Sequence, residues 1–212
     1  MWICILMTCA GFLSGSIMYA YLIPKVFRKI DIRIGSEDGN PGSGNAISTT
    51  GPFVGGVCLL LDIGKAFAPV YVAVAWFAVT DYRLIPVMIA PVLGHAFTPL
   101  LRFRGGKAVA ASFGALLGVI TVSWVVAVYV ITLVFVSAVV VLNPNSFKIT
   151  AGFILSAILA FLLEPIPAIR VAAVIISALV CCKHFLNPNA GDLSVKAGPF
   201  VFRIGGGTGG RR

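Results

Sequence analysis

Residues 108–142 read AVAASFGALLGVITVSWVVAVYVITLVFVSAVVVL, 35 residues without one Asp, Glu, Lys or Arg. As a single helix this run would be about 52 Å long at about 1.5 Å per residue, against a hydrocarbon core of about 30 Å. Its length predicts two membrane crossings, with a break near positions 121–123, where Thr121 and Ser123 interrupt the apolar pattern. Working outward, similar apolar runs lie at about 2–24, 51–80, 84–101, 149–163 and 167–182. The whole chain of 212 residues is 59% hydrophobic and 11% charged, where a soluble domain carries about 25% charged residues. With a mean hydropathy of +1.03, these values exclude a water-soluble domain. They predict an all-α, polytopic helical membrane protein of about seven transmembrane helices. The chain reads as one integral-membrane domain over 1–212, with a flexible Gly/Arg-rich tail at about 203–212.

The distribution of basic residues tests that count. The chain has 16 Lys and Arg against 7 Asp and Glu, a formal charge of +9. With seven spans, the loops 25–50, 102–107 and 143–148 and the tail from 183 share one side. They collect Lys25, Arg28, Lys29, Arg33, Arg102, Arg104, Lys107, Lys148, Lys183, Lys196, Arg203, Arg211 and Arg212. Only Arg83 and Arg170 fall on the other side, and Lys65 lies within a span. Cytoplasmic loops carry the Lys/Arg excess, so the N-terminus is expected outside and the C-terminus in the cytoplasm. The positive charge is thereby matched to the anionic leaflet and to anionic ligands, and nucleic acid is not an expected partner.

The first run has no basic residue before it and no small-residue cleavage site after it, so it is expected to be a retained span. The runs at 149–163 and 167–182 are short, and Glu164, Pro165 and Pro167 mark the turn between them. Gly11 with Gly15, and Gly114 with Gly118, have the spacing of closely packed helices in lipid. The five cysteines lie in or beside apolar runs with no C-x-x-C pair and no His at metal spacing, so they read as small hydrophobes. No metal or cofactor is expected.

Four polar stretches could carry chemistry. Residues 29–51, KIDIRIGSEDGNPGSGNAISTTG, hold Gly35, Gly39, Gly42, Gly44 and Pro41. Such a loop is either a flexible linker or one that turns successive N–H groups toward an anion. Asp31, Arg33, Asn40 and Asn45 favour a site. Asp62 and Lys65 lie three apart inside a span, where a charge is costly unless paired, so they either neutralise each other or present Lys65 to a phosphate. Residues 94–114, GHAFTPLLRFRGGKAVAASFG, place Gly105, Gly106 and Lys107 before a helix N-terminus, a favourable place for an anion. This is no Walker A loop, since Leu101 stands at the first Gly position and Ala108 replaces the hydroxyl residue. Finally, Lys183, His184 and Asn187 end the last span. Both histidines, His95 and His184, fall on the same membrane face as the glycine-bearing loops.

Together these stretches resemble the acyl-phosphate:glycerol-3-phosphate acyltransferases of bacteria. The resemblance rests on Gly35, Ser36, Gly39, Asn40, Pro41, Gly42 and Asn45; on the D-x-x-K pair Asp62 and Lys65; on His95, Phe97 and Pro99 with Gly105, Gly106 and Lys107; and on K-H-x-x-N at Lys183, His184 and Asn187. In order and span position it covers nearly the whole chain. The chain departs from the family pattern where Glu37 and Asp38 open the first loop, where Ser43 and Gly44 replace Ala-Thr, and where Ser48 replaces a basic residue. It departs again at Ala66, Ala108, Ala111, Pro188 and Asp192-Leu193, and so reads as a divergent member.

The resemblance implies an acyltransferase of the bacterial inner membrane that opens phospholipid synthesis. It would move a fatty acyl group from acyl phosphate to the 1-hydroxyl of sn-glycerol 3-phosphate, releasing lysophosphatidate and phosphate at a cytoplasm-facing site. Ser36, His184 and Lys107 are the expected catalytic residues. Arg33, Gly39, Asn40, Gly42, Asn45, Asp62, Lys65, His95, Gly105, Gly106 and Asn187 are expected to bind substrate. Within that set Gly105, Gly106 and Lys107 take the acyl-phosphate head, while Ser36, Lys65, His184 and Asn187 take glycerol phosphate and His95 serves either. The expected partners are the two substrates, the bilayer and a soluble enzyme that supplies acyl phosphate. Two rival readings use the same residues: a transporter or channel for an organic phosphate, which should show repeated halves or a broken helix pair at mid-membrane, and an inactive structural relative.

Overall fold

A computed structural model describes residues 1–34, 36, 38–139, 141–143, 145–185, 193–197 and 200–204. Its helices are α1 Trp2–Ser16, α2 Tyr19–Arg28, α3 Ser43–Thr50, α4 Pro52–Tyr71, α5 Leu84–Ala96, α6 Val109–Leu117, α7 Val125–Val139, α8 Asn145–Leu163 and α9 Pro167–Phe185. A π-helical turn at Val72–Trp76 prolongs α4, and a 3₁₀ turn at Pro99–Leu101 follows α5. Four of these are long and apolar enough to cross a membrane: 52–76, 84–101, 146–163 and 167–185. The pair α1 and α2, bent by 42° at residues 17–18, makes a fifth if counted as one span.

The first apolar run therefore does not continue straight to Pro24. It turns at Ile17 into an amphipathic α2 that carries Lys25 and Arg28 in its last turn. The long run at 108–142 breaks where expected: α6 ends at Leu117, α7 begins at Val125, and the Ser123 hydroxyl accepts the Val125 N–H at 3.0 Å. At nine residues α6 is shorter than the length of the run suggested. The two short C-terminal runs each become helices of 19 residues. The mostly polar residues 145–148 (Asn145, Ser146, Phe147 and Lys148) and Lys183 and His184 continue the helices beyond the apolar stretches, which hydropathy alone does not register.

The all-α reading holds for the apolar body. Outside it, β1 Val141–Asn143, β2 Leu193–Ala197 and β3 Phe200–Ile204 form an antiparallel sheet in the order β1-β2-β3. Val141 lies opposite Lys196, and Leu193 opposite Ile204. The tail expected from 203 thus begins inside β3, and residues 205–212 lie outside those described.

Small residues set the helix crossings. A Cβ on Gly15 would lie 2.2 Å from the Pro91 carbonyl oxygen, and one on Gly94 would lie 2.2 Å from that of Phe12, so α1 and α5 meet backbone to backbone. Gly114 gives the same closeness to Ile63 on α4, at 2.1 Å. The core between these crossings and α9 is filled by Met88, Leu116, Phe153, Ile169 and Ile176, all fully buried. Tyr129 ties α7 to α9 by donating to the Ala173 carbonyl at 2.9 Å. At the opposite end of the bundle from the loops carrying Lys107 and Asn45, buried Glu164 hydrogen-bonds Ser123 and the Ile166 N–H. Arg170 covers the Glu164 carbonyl.

Candidate active site

The glycine-rich loop, the start of α3, the Gly-Gly-Lys segment and the end of α9 converge on a cleft of about 1100 Å³. Among the sequence-predicted residues, Ser36, Asn40, Gly42, Asn45, His95, Lys107 and His184 line it. Ser43, Ser48, Thr49 and Ser146 add hydroxyls that sequence reasoning did not select. Leu59, Ile63, Phe113 and Ile149 form an apolar wall from α4, α6 and α8. The cleft is thus polar on one side and hydrocarbon-like on the other.

Two helix N-termini open on the polar side. Gly42 precedes α3 without a side-chain cap, and Lys107 and Ala108 precede α6 in the same way. Unsatisfied N–H groups and the positive end of the helix dipole make each a favourable place for negative charge. A Cβ on Gly42 would come within 2.7 Å of Asn40 Nδ2, so a larger residue there would displace the Asn40 amide. Gly39 has a φ of +60°, a conformation that favours glycine.

Asp38 occupies the middle of this arrangement. Its Oδ2 lies 2.8 Å from Lys107 Nζ. Its Oδ1 accepts from Asn45 Nδ2 at 2.8 Å and from the Asn40 N–H at 3.0 Å. Burial alone would raise the Asp38 pKa, but the bonds from Lys107, Asn45 and Asn40 outweigh it and hold the carboxyl below its ordinary value. Asn45 also donates to the Asn40 carbonyl at 2.8 Å, which closes the loop on itself. The sequence marks Asp38 as a departure from the family pattern but gives no sign of its partner 69 positions away.

The glycine pair before Lys107 serves His95. A Cβ on Gly106 would lie 2.3 Å from His95 Nε2, and one on Gly105 would lie 2.1 Å from the His95 carbonyl oxygen. The Gly106 N–H is donated to that carbonyl at 3.1 Å, so it is engaged within the protein. His184 is buried, and among the described residues neither of its ring nitrogens has a hydrogen-bond partner. Lys183 beside it donates to the Ala96 carbonyl at 3.0 Å, with its ammonium over the Phe97 ring. That bond docks the end of α9 on the end of α5 and brings both histidines to one cleft.

Of the predicted residues, Gly39, Gly105 and Gly106 and the charged Arg33, Asp62 and Lys65 stand apart from the cleft wall. Arg33 makes a two-toothed pair with Asp31, at 2.9 and 2.7 Å, and lies over the Tyr21 ring. The Arg33 hydrogen bond lowers the Asp31 pKa to about 2. Ser36, although at the cleft, donates to the Arg33 carbonyl at 3.1 Å. Asp62 and Lys65 are paired at 2.7 Å behind the wall. Lys65 also donates to the Ile17 carbonyl at the α1–α2 bend, and Asp62 Oδ1 lies 3.9 Å from His95 Nδ1. Asn187 and Gly35 lie outside the described residues. Among the described residues no group of His, Cys, Asp and Glu is arranged to hold a metal ion.

Fold and site together define a multi-pass helical membrane protein with a cleft that is polar at one side and continues into an apolar wall. Residues 5–190 match the family model described as glycerol-3-phosphate acyltransferase, and the chain belongs to that family. It is 41% identical over 156 residues to the glycerol-3-phosphate acyltransferase of Thermotoga petrophila, covering 73% of this chain and 76% of that protein. To glycerol-3-phosphate acyltransferase 2 of Thermotoga maritima it is 40% identical over the same length and with the same coverage. Among solved structures it resembles the glycerol 3-phosphate form of PlsY (YgiH), an integral membrane glycerol 3-phosphate acyltransferase. The TM-score is 0.75 at 26% identity, over 86% of this chain and 88% of that one. The lysophosphatidic acid form shares the fold, with a TM-score of 0.73.

Proposed function

We propose that this protein transfers a fatty acyl group from acyl phosphate to the 1-hydroxyl of sn-glycerol 3-phosphate, releasing lysophosphatidate and inorganic phosphate. The observation that carries this reading is the two-sided cleft. Lys107 and two uncapped helix N-termini suit phosphate, while Leu59, Ile63, Phe113 and Ile149 suit an acyl chain entering between helices.

An acyl phosphate is a mixed anhydride, already activated. The acceptor's 1-hydroxyl oxygen attacks the acyl carbon, the bond from that carbon to the phosphate oxygen breaks, and the hydroxyl proton leaves on the departing phosphate. Catalysis then rests on positioning and on stabilising negative charge. Lys107 and the α6 N-terminus hold the acyl-phosphate head beside the Gly105-Gly106 crossing of His95. Ser36, Asn40, Gly42 and Asn45 line the acceptor end, and His184, with both ring nitrogens open to a ligand, hydrogen-bonds glycerol phosphate together with Asn187. Gly39 supplies the turn between them. Asp62 and Lys65 position His95 and the α1–α2 bend from behind the wall, and Arg33 braces the first loop through Asp31.

The cleft gathers the loop before α3, the segment before α6, the start of α8 and the end of α9, which supports placing all four on one face of the membrane. We place that face in the cytoplasm of a bacterial inner membrane, with seven crossings, the N-terminus outside and one domain over the chain. There a soluble enzyme would supply acyl phosphate. The test is an assay of the purified protein with glycerol 3-phosphate and, in parallel, acyl phosphate, acyl-CoA and acyl carrier protein donors. Lysophosphatidate formed with acyl phosphate alone supports the reading. Failure with every donor would leave a transport or structural role, and equal use of acyl-CoA would reject the donor.

A further inference from the structure

Each Lys or Arg in the expected site has a carboxylate of its own: Arg33 has Asp31, Lys65 has Asp62 and Lys107 has Asp38. Only the last pair lies in the cleft, where Lys107 and Asp38 are the sole Lys, Arg, Asp or Glu among the described lining residues. The polar end that should attract a phosphate therefore carries no net charge from these side chains. The groups around the Asp38 carboxylate are an ammonium, a carboxamide N–H and a backbone N–H, at 2.8, 2.8 and 3.0 Å. Those are the donors an oxyanion of a phosphate would take.

We infer that Asp38 occupies the anion position of the cleft as an internal, displaceable ligand of Lys107, so that a substrate phosphate binds only by taking Lys107 from it. Asp38 thereby sets the site's affinity for phosphate. This inference rests on the phosphate-binding reading of the cleft.

Two other roles for Asp38 fit less well. As a general base it would be weak, because the bonds that hold it favour the carboxylate, and a base far below the working pH contributes little. As a plain staple for the loop it would need no site at which to be replaced, yet it lies on the wall of an open cleft. Its side chain is 21% exposed, so the protein does not enclose it. With Asp38 still in contact, a phosphate dianion at Lys107 would face a carboxylate beside a single ammonium. With Asp38 turned out, the Lys107 ammonium, the Asn45 carboxamide N–H and the Asn40 backbone N–H are all released to it.

The experiment uses the full-length protein in detergent and inorganic phosphate as the probe, with affinity read by calorimetry. Asp38→Asn keeps the hydrogen-bond acceptor and removes the charge; it should bind phosphate at least tenfold more tightly than the natural protein. Asp38→Ser should do the same, Asp38→Glu should remain weak, and Lys107→Gln should abolish the gain in the Asn background. The KM for the phosphate-bearing substrate that displaces Asp38 should fall in parallel. Unchanged or weaker phosphate binding in both neutral variants would overturn the proposal, as would failure of both to fold, which would make the pair a structural staple. Phosphate binding is measured without acyl transfer, so the two readings fail separately. Normal glycerol phosphate acylation with unaltered phosphate affinity sinks this inference alone, whereas a tenfold gain in a protein that acylates nothing sinks the proposed reaction alone.

Discussion

Replacing Lys65 by Met would leave the Asp62 carboxylate alone inside the bundle. The two side chains are 2% and 0% exposed and their charged atoms lie 2.7 Å apart. At an effective dielectric constant near 20 that separation corresponds to a gross attraction of about 6 kcal/mol, most of it spent against desolvating both groups. Removing one partner of a buried pair costs about 3–5 kcal/mol, because the other charge stays buried. The change also removes the ammonium that holds the Ile17 carbonyl at the α1–α2 bend. At roughly 2–4 °C per kcal/mol for a chain of this size, thermal unfolding in detergent should fall by roughly 6–20 °C. The double variant Lys65→Met with Asp62→Asn should recover most of that loss, since no buried charge remains. A single variant that melts with the natural protein would refute the reasoning. It would mean that the pair is hydrated or that Lys65 faces substrate, and the effect should then appear as a raised KM for glycerol phosphate.

Lys107→Ala should reduce kcat/KM for the acyl donor by more than Lys107→Arg, because charge beside the α6 N-terminus is the proposed role; equal rates in the alanine variant would remove that segment from the site. His184→Gln should raise the KM for glycerol phosphate while retaining much of kcat, as an amide can replace a binding imidazole, and a collapse of kcat at unchanged KM in a folded protein would instead mark His184 as a base. Gly106→Ala places a methyl carbon 2.3 Å from His95 Nε2, so His95 must move and transfer activity should drop at least tenfold, whereas unaltered kinetics would show that the His95 ring is not held at the cleft.

Much of the fold is legible in hydropathy, because lipid demands long runs in which every backbone group is satisfied within the helix. The over-long run at 108–142 had to break, and it does so between Leu117 and Val125. The bend at Ile17 is not legible, since both sides of it are apolar. The helical residues 145–148 are not either, because polar ends look like loop to any measure of hydropathy. The pairing of β1 with β2 joins segments about 50 positions apart, beyond any local pattern.

At the site, residue types at characteristic spacings were enough to select Asn40, Asn45, His95, Lys107 and His184, which the fold then brings to one cleft. The same reasoning placed Lys65 and Arg33 among the substrate ligands with Asp62 and Asp31 in view beside them, and the fold pairs each cation with that carboxylate. It passed over Asp38, since a departure from a pattern has no partner until the chain is folded. The glycines at 105 and 106 looked like an anion loop, and their closeness to His95 emerges only from the packing of the loop on α5.

In the proposed reaction one cleft at one face of the membrane joins a phosphate-bearing acyl donor to glycerol 3-phosphate. Proteoliposomes with the protein inserted in one orientation, acyl phosphate in the bilayer and glycerol 3-phosphate supplied to a single side test it most directly, with lysophosphatidate and inorganic phosphate both measured. One phosphate should be released for each lysophosphatidate formed, and only when glycerol 3-phosphate is added on the side from which single cysteines introduced at positions 40 and 105 are labelled. Turnover from the opposite side, phosphate release uncoupled from acyl transfer, or labelling of the two positions from different sides would contradict it.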